Sequence, residues 1–169
     1  MTHRPEPGEF APYFGRYVDL APEADLGYAL RPSRLAAFLR DLDPSLGARR
    51  YAPDKWTLAG VSQHVIDTER IFAARALRIA RGDSTPLPGF DEVALGAAMP
   101  QDRPLAALAD ELDGVRASTV NLFASLSEAD LLRLGTVSGH ALSARAAGWI
   151  LAGHERHHVR VIRERYLGT

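Results

Sequence analysis

Leu105, Leu108, Leu112, Val115, Thr119, Leu122 and Leu126 recur at steps of three and four residues. On an α-helix that period gathers the apolar side chains into one stripe, whereas a strand would scatter them over both faces. A stripe this long must be buried against other elements, so it calls for partners with the same period. Three further segments supply them. Leu35, Phe38, Leu39 and Leu42 lie in a first helix expected over about 24–43, with Pro44 and Gly47 beyond it and Pro32 placed to split it or restart it. Leu58, Val61, Val65, Phe72, Ala76 and Ile79 form one face of a second helix that begins after Thr57, a good N-cap, and stops at Gly82. The striped helix is third, starting near Asp102 with Pro104 in its first turn. A fourth starts after Ser143 and runs to about Leu167, where Gly168 stops it.

No segment alternates convincingly with period two, so the expected fold is all-α, a four-helix bundle with a long crossover between helices 2 and 3. The crossover, residues 82–101, contains Pro86, Pro88, Gly89, Gly96 and Pro100, with room for a short helix over Asp91–Ala98. Its length lets it span an end of the bundle, either as a plain connection or as a lid. Residues 127–130 read as a turn or short helix. Gly135 to Gly139 reads as loop with space for a short extended pair. Residues 1–20 are expected to be irregular, with His3 in a mobile tail and the aromatic cluster Tyr13 to Val18 packed on the bundle. With 169 residues and 46% hydrophobic content the chain supports one substantial core, and a single domain over 1–169 is expected.

Composition removes several functions. The net charge is −1, with acidic and basic residues interspersed and no basic patch, so a nucleic-acid partner has no electrostatic basis. The polar, proline-rich start lacks the apolar segment of a signal peptide, and no run is long enough for a membrane span. A cytoplasmic location without membrane association is the corresponding expectation. There is no cysteine, hence no disulfide, no thiolate ligand and no protein thiol nucleophile.

Of six histidines, three fall in Gly153-His154-Glu155-Arg156-His157-His158. His154 and His158 are one helical turn apart, about 6 Å along the axis, and share the broad apolar face of the fourth helix with Ala147, Ile150, Leu151, Val161 and Ile162. Two imidazoles so spaced can grip one divalent ion, and they can equally form a buried polar seam. A metal site needs a third ligand. His64, beside Val61 and Val65 on the apolar face of the second helix, is the best placed, since His140 falls in a loop and His157 is turned about 100° away. Three imidazoles from two helices would leave a coordination position open, as catalytic sites do. The string His154-Glu155-x-x-His158 also matches a zinc-protease pattern. However, the places where the extended pattern needs a glycine and a third histidine hold Val161 and Glu164, and the helix is expected to continue through them, so a protease is not the expected reading. Glu155 is the one candidate for a catalytic base in this segment, and its side chain is expected on the solvent face. Glu69 is expected to pair with Arg70 or Arg75 on a helix face. Arg156, Arg160 and Arg163 are expected in solvent, or at a rim that attracts anions. Tyr51 and Trp56 are possible neighbours of the site.

Lys55-Trp56-Thr57 ahead of His64, then Asp67-Thr68-Glu69-Arg70-Ile71-Phe72, then Arg75 to Asp83, and finally Gly153-His154-Glu155-x-His157-His158, resemble the DinB-like superfamily in content and order. The resemblance covers the chain from about Tyr17 to Leu167. It implies a four-helix bundle holding a divalent metal, commonly nickel or zinc, on one histidine of the second helix and two of the fourth. His64, His154 and His158 match those positions. It also implies kinship with thiol-dependent S-transferases and isomerases that use low-molecular-weight thiols, and homodimers are common. Two functional expectations follow. One is a metal-dependent enzyme, a thiol-dependent S-transferase or a hydrolase, acting on a small molecule. The other is a non-catalytic dimeric stress-response protein that binds a metal or small ligand.

Overall fold

The computed structural model describes residues 3–169. Two short helices, α1 (Gly15–Val18) and α2 (Leu26–Leu30), precede α3 (Arg34–Arg40). The long helix α4 (Leu58–Ala80) follows, then α5 (Glu92–Ala98) in the crossover, the second long helix α6 (Leu105–Ala124) and the single-turn α7 (Glu128–Leu131). A hairpin of β1 (Leu134–Val137) and β2 (His140–Ser143) leads into α8 (Ala144–Val161). The four arms of the bundle are the α2–α3 pair, α4, α6 and α8. The fold is thus the expected four-helix bundle, with one small antiparallel sheet in register Leu134↔Ser143 to Val137↔His140.

The local chemistry accounts for the boundaries. Thr57 Oγ1 accepts from Gly60 N at 2.9 Å and Ser143 Oγ from Ala146 N at 3.0 Å, so both histidine-bearing helices begin at the expected caps. Asp91 caps α5 through Val93 N and Ala94 N. The first predicted helix is two pieces, because Pro32 interrupts it after a cis Arg31–Pro32 peptide and Ser33 restarts α3 as a cap. The third begins at Leu105 rather than near Asp102, with Pro104 as its N-cap. The last helix continues beyond Val161 as a π-helical turn over Ile162–Leu167, ended by Gly168 at φ 76°.

One expectation for the connections is corrected. Residues 3–11 form no helix or strand, as expected, but the segment is tied to the bundle rather than loose. Arg4 donates to the carbonyls of Val18 and Ala21, Trp149 Nε1 donates to His3 O at 3.1 Å, and Glu9 receives Ser143 Oγ at 2.7 Å and pairs with Arg145. The crossover holds the short helix expected over Asp91–Ala98 as α5, and it also pairs with the hairpin: Leu87 N donates to Thr136 O at 2.8 Å and Ser138 N to Leu87 O at 3.0 Å, adding a short parallel edge.

The core falls into two apolar halves. One gathers Leu30, Phe72, Ile79, Phe123, Trp149 and Ile150; the other gathers Leu35, Val65, Leu108, Leu112, Ile162 and Tyr166. Every arm contributes to both halves and changes from one to the other partway along its length. Buried polar residues gather at those changes: Ser33 between α2 and α3, His64, Thr68 and Glu69 on α4, Arg116 and Thr119 on α6, and His154 and Glu155 on α8. A polar layer therefore crosses the middle of the bundle, and the candidate site lies in it.

Candidate metal centre

His64 and His154 are buried and His158 is half-buried. The packing of α4 on α8 turns all three rings toward one point. Nε2 of His154 lies 3.2 Å from Nε2 of His64 and 3.1 Å from Nε2 of His158. One nitrogen from each ring lies within 4.8 Å of the other two. The three residues proposed from sequence are thus brought together, while His140 is exposed on β2 and His157 packs edge-on against Tyr17 at 5.5 Å.

This arrangement suits a cation better than a hydrogen-bonded seam. Nε2 of a neutral imidazole carries either one proton or one lone pair, so the single Nε2 of His154 cannot make a linear bond to both neighbours. Burial pushes the pKa of all three rings below the ordinary histidine value. It acts most strongly on His154 and His158, where the other imidazoles add to it; at His64, Glu92 and Asp67 oppose it. Neutral rings are the form that binds metal. With metal–nitrogen bonds of about 2.0–2.1 Å, nitrogens 3.1–3.2 Å apart subtend about 100° at an ion, between octahedral and tetrahedral angles.

The ring positions are fixed from outside. A Cβ at Gly153 would fall inside the backbone carbonyl of Tyr17, so only glycine lets α1 lie this close to α8. That contact sets the Tyr17 ring edge-on to His154 at 5.3 Å. Burial raises the Tyr17 phenol to about 12, so it is a proton donor at neutral pH. Trp56 lies 5.1 Å from His64 and fills the space that a side chain at Gly96 of α5 would need.

Glu155 is not on the solvent face. It is 1% exposed, and its Oε1 accepts from Ser33 Oγ at 2.6 Å and Leu35 N at 3.0 Å while Oε2 meets Arg116 at 3.0 Å. The expected pairing of Glu69 is corrected too. Its carboxylate takes two 2.8 Å bonds from the Arg116 guanidinium, and Arg70 instead reaches Glu111 at 2.7 Å. Burial opposes the charge of Arg116, but the two carboxylates more than offset it and raise its pKa. Arg116 thereby ties α4 to α8 within the polar layer that holds the histidines. Sequence reading missed it, although its position four residues after Leu112 places it on the apolar stripe. Arg156 is not free in solvent either, since it binds Glu23 and the carbonyls of Leu20 and Ala29. Tyr51 packs on Tyr166.

A cavity of about 260 Å³ opens on His64 and His154, lined also by Tyr17, Phe72, Arg75 and Glu92. The crossover forms part of its wall, through Gly89, Phe90 and Glu92. Glu92 Oε1 stands 3.9 Å from His64 Nε2. Nothing in the local sequence marked Glu92, which is exposed and reaches the site only through the path of the crossover. A second cavity, of about 550 Å³, reaches His157 and His158 and is lined by Tyr51, Lys55 and Trp56.

The sequence pattern of the DinB superfamily matches residues 28–162, which include all three histidines. The chain belongs to the DinB superfamily. Among solved structures, this DinB protein is similar to YfiT from Bacillus subtilis, with a TM-score of 0.72 over 98% of this chain and 94% of that one at 15% identity. YfiT is described as a probable metal-dependent hydrolase with an unusual four-helix bundle topology. At that identity the likeness establishes the shared fold. A comparison with curated proteins returns no match. Among the described residues, no helix is long and apolar enough to cross a membrane.

Proposed function

We propose that this DinB protein is a divalent-metal-dependent enzyme of hydrolytic type, with His64, His154 and His158 as ligands to nickel or zinc. The observation that carries the reading is the convergence of three neutral imidazoles on one point beside a cavity. The description of YfiT, which shares the fold, as a probable metal-dependent hydrolase agrees with this class of chemistry. An ion held there would supply Lewis acidity and a nucleophile at neutral pH. The protein's own residues supply the rest. Glu92 is the proton acceptor, because its carboxylate is at the cavity beside His64 and is not committed to the interior. Glu155, the base candidate in the sequence, is occupied by Ser33, Leu35 and Arg116 and acts in the scaffold. Tyr17, protonated at neutral pH, offers its hydroxyl to a substrate oxygen next to His154.

The second cavity favours one other reading. It shares no lining residue with the first and reaches His158, leaving room for two organic reactants around one ion, as transfer to or from an external low-molecular-weight thiol requires. The cavity at His64 supports either enzymatic reading over a protein that only binds a metal, which needs no substrate-sized space at its open position.

The test is metal content of tag-free protein after incubation with nickel or zinc, for the wild type and for His64→Ala and His154→Ala. One ion per chain is expected in the wild type and none in the variants. Trp56, 5.1 Å from His64, should report the titration by fluorescence. Failure of the wild type to take up metal in excess would return the histidines to a buried polar seam. Dependence of turnover on an added thiol would then separate transfer from hydrolysis in a metal-loaded protein.

A further inference from the structure

Arg75 is 8% exposed and lines the cavity that opens on His64 and His154. Its guanidinium lies over the rings of Phe72 at 5.1 Å and Phe90 at 5.3 Å, and NH2 donates to Pro88 O at 2.9 Å. Those are its contacts among the described residues: no carboxylate lies within ion-pairing distance. The other buried arginine of the polar layer, Arg116, has two carboxylates. A guanidinium carries five donors, and Pro88 takes one direction only. The remaining nitrogens are not among the enclosed polar atoms that lack a partner, and Arg75 lines both this cavity and an adjoining one of about 240 Å³ that shares Phe14, Phe72 and Ser138 with it. Ser138, at the hairpin turn, lines the same cavity next to Gly89 and adds a hydroxyl. Glu92 also lines it but stands by His64. Removing a cation from water without a counter-charge is costly, and a site that does so is built to receive the charge from a ligand.

We propose that the substrate of this enzyme is an organic anion, an apolar or aromatic body bearing a carboxylate or similar anionic oxygen group that Arg75 holds while the scissile or transferred group faces the histidines. This rests on the metal-enzyme reading for the identity of the reactive end, but not for the anion site itself. The aromatic lining of Phe14, Phe72 and Phe90 fits the body, and the planar fork of Arg75 fits two oxygens. Arg75 therefore sets specificity, and its bond to Pro88 lets the bound anion and the crossover share one cation.

The test is calorimetric binding of 3-phenylpropionate and of its neutral isostere 3-phenylpropionamide to zinc-loaded and to chelator-treated protein, with metal content measured on the same samples. The wild type should bind the carboxylate at least about tenfold more tightly than the amide, with or without zinc. Arg75→Met should abolish that preference. Arg75→Lys, which keeps the charge and the fold but loses the fork, should retain part of it. Metal content should be unchanged in both variants. A preference that survives in Arg75→Met, or that exists only with zinc bound, would assign the anion to the metal and overturn the proposal. So would equal binding of acid and amide by the wild type. Failure of the wild type to retain zinc after loading, with the preference intact, would overturn the metal reading and leave the anion site standing.

Discussion

Replacing Arg116 by methionine should destabilise the protein by about 3–5 kcal/mol, because it breaks a buried ionic cluster from its centre. The guanidinium is 4% exposed and makes four bonds: two of 2.8 Å to Glu69, one of 3.0 Å to Glu155 and one of 2.7 Å to Leu30 O. Without it, Glu155 keeps Ser33 Oγ and Leu35 N, but the Glu69 carboxylate, 1% exposed, keeps no hydrogen-bond partner among the described residues. Most of the penalty therefore sits on Glu69. Neutralising that residue should relieve it: Glu69→Gln combined with Arg116→Met should cost less than the sum of the two single changes by about 1.5 kcal/mol or more. The assay is urea unfolding of chelator-treated protein followed by far-ultraviolet circular dichroism. With a slope of about 2 kcal/mol per molar, the single variant's midpoint should fall by about 2 M. A loss below about 1 kcal/mol, or additive singles, would show that solvent reaches the polar layer and that the cluster is not what joins α4 to α8.

Two further outcomes follow from contacts around the site. Gly153→Ala should lower stability by about 2 kcal/mol or more and weaken metal binding, since the new Cβ meets the Tyr17 backbone, which cannot rotate aside; wild-type behaviour in both unfolding and metal titration would refute the close approach of α1. The Glu9 carboxyl is pushed up by burial, but bonds from Arg145, Ser143 and the Glu6 backbone outweigh that and hold it below the usual carboxylate range. Its stabilisation is then full above the unfolded value of about 4.3 and is lost as pH falls through the lower folded value. Glu9→Gln should accordingly be less stable than wild type at pH 7, with the gap closing between about pH 5 and 3, and a pH-independent gap in urea midpoints would contradict it.

Much of this protein was written in local signals. Helical period, the caps Thr57, Asp91 and Ser143, the stops at Gly82 and Gly168, and the break at Pro32 depend on residues within a turn or two of each other, so the sequence alone placed the helices. The same period put His64, His154 and His158 on apolar faces, where polar rings need a shared partner. Tertiary structure decided what lies across the interfaces. Glu155 is one residue from His154 and reads as solvent-facing on a helical wheel, yet it is buried against Ser33, 122 positions away. Arg116 meets Glu69 and Glu155 from 47 and 39 positions away. Glu92 and Arg75 become parts of one cavity only because the crossover returns over α4 and pairs with the hairpin. Period fixes which residues share a face, but not which face of a neighbour it meets. For a buried charge, that second fact determines whether it has a partner or waits for a ligand.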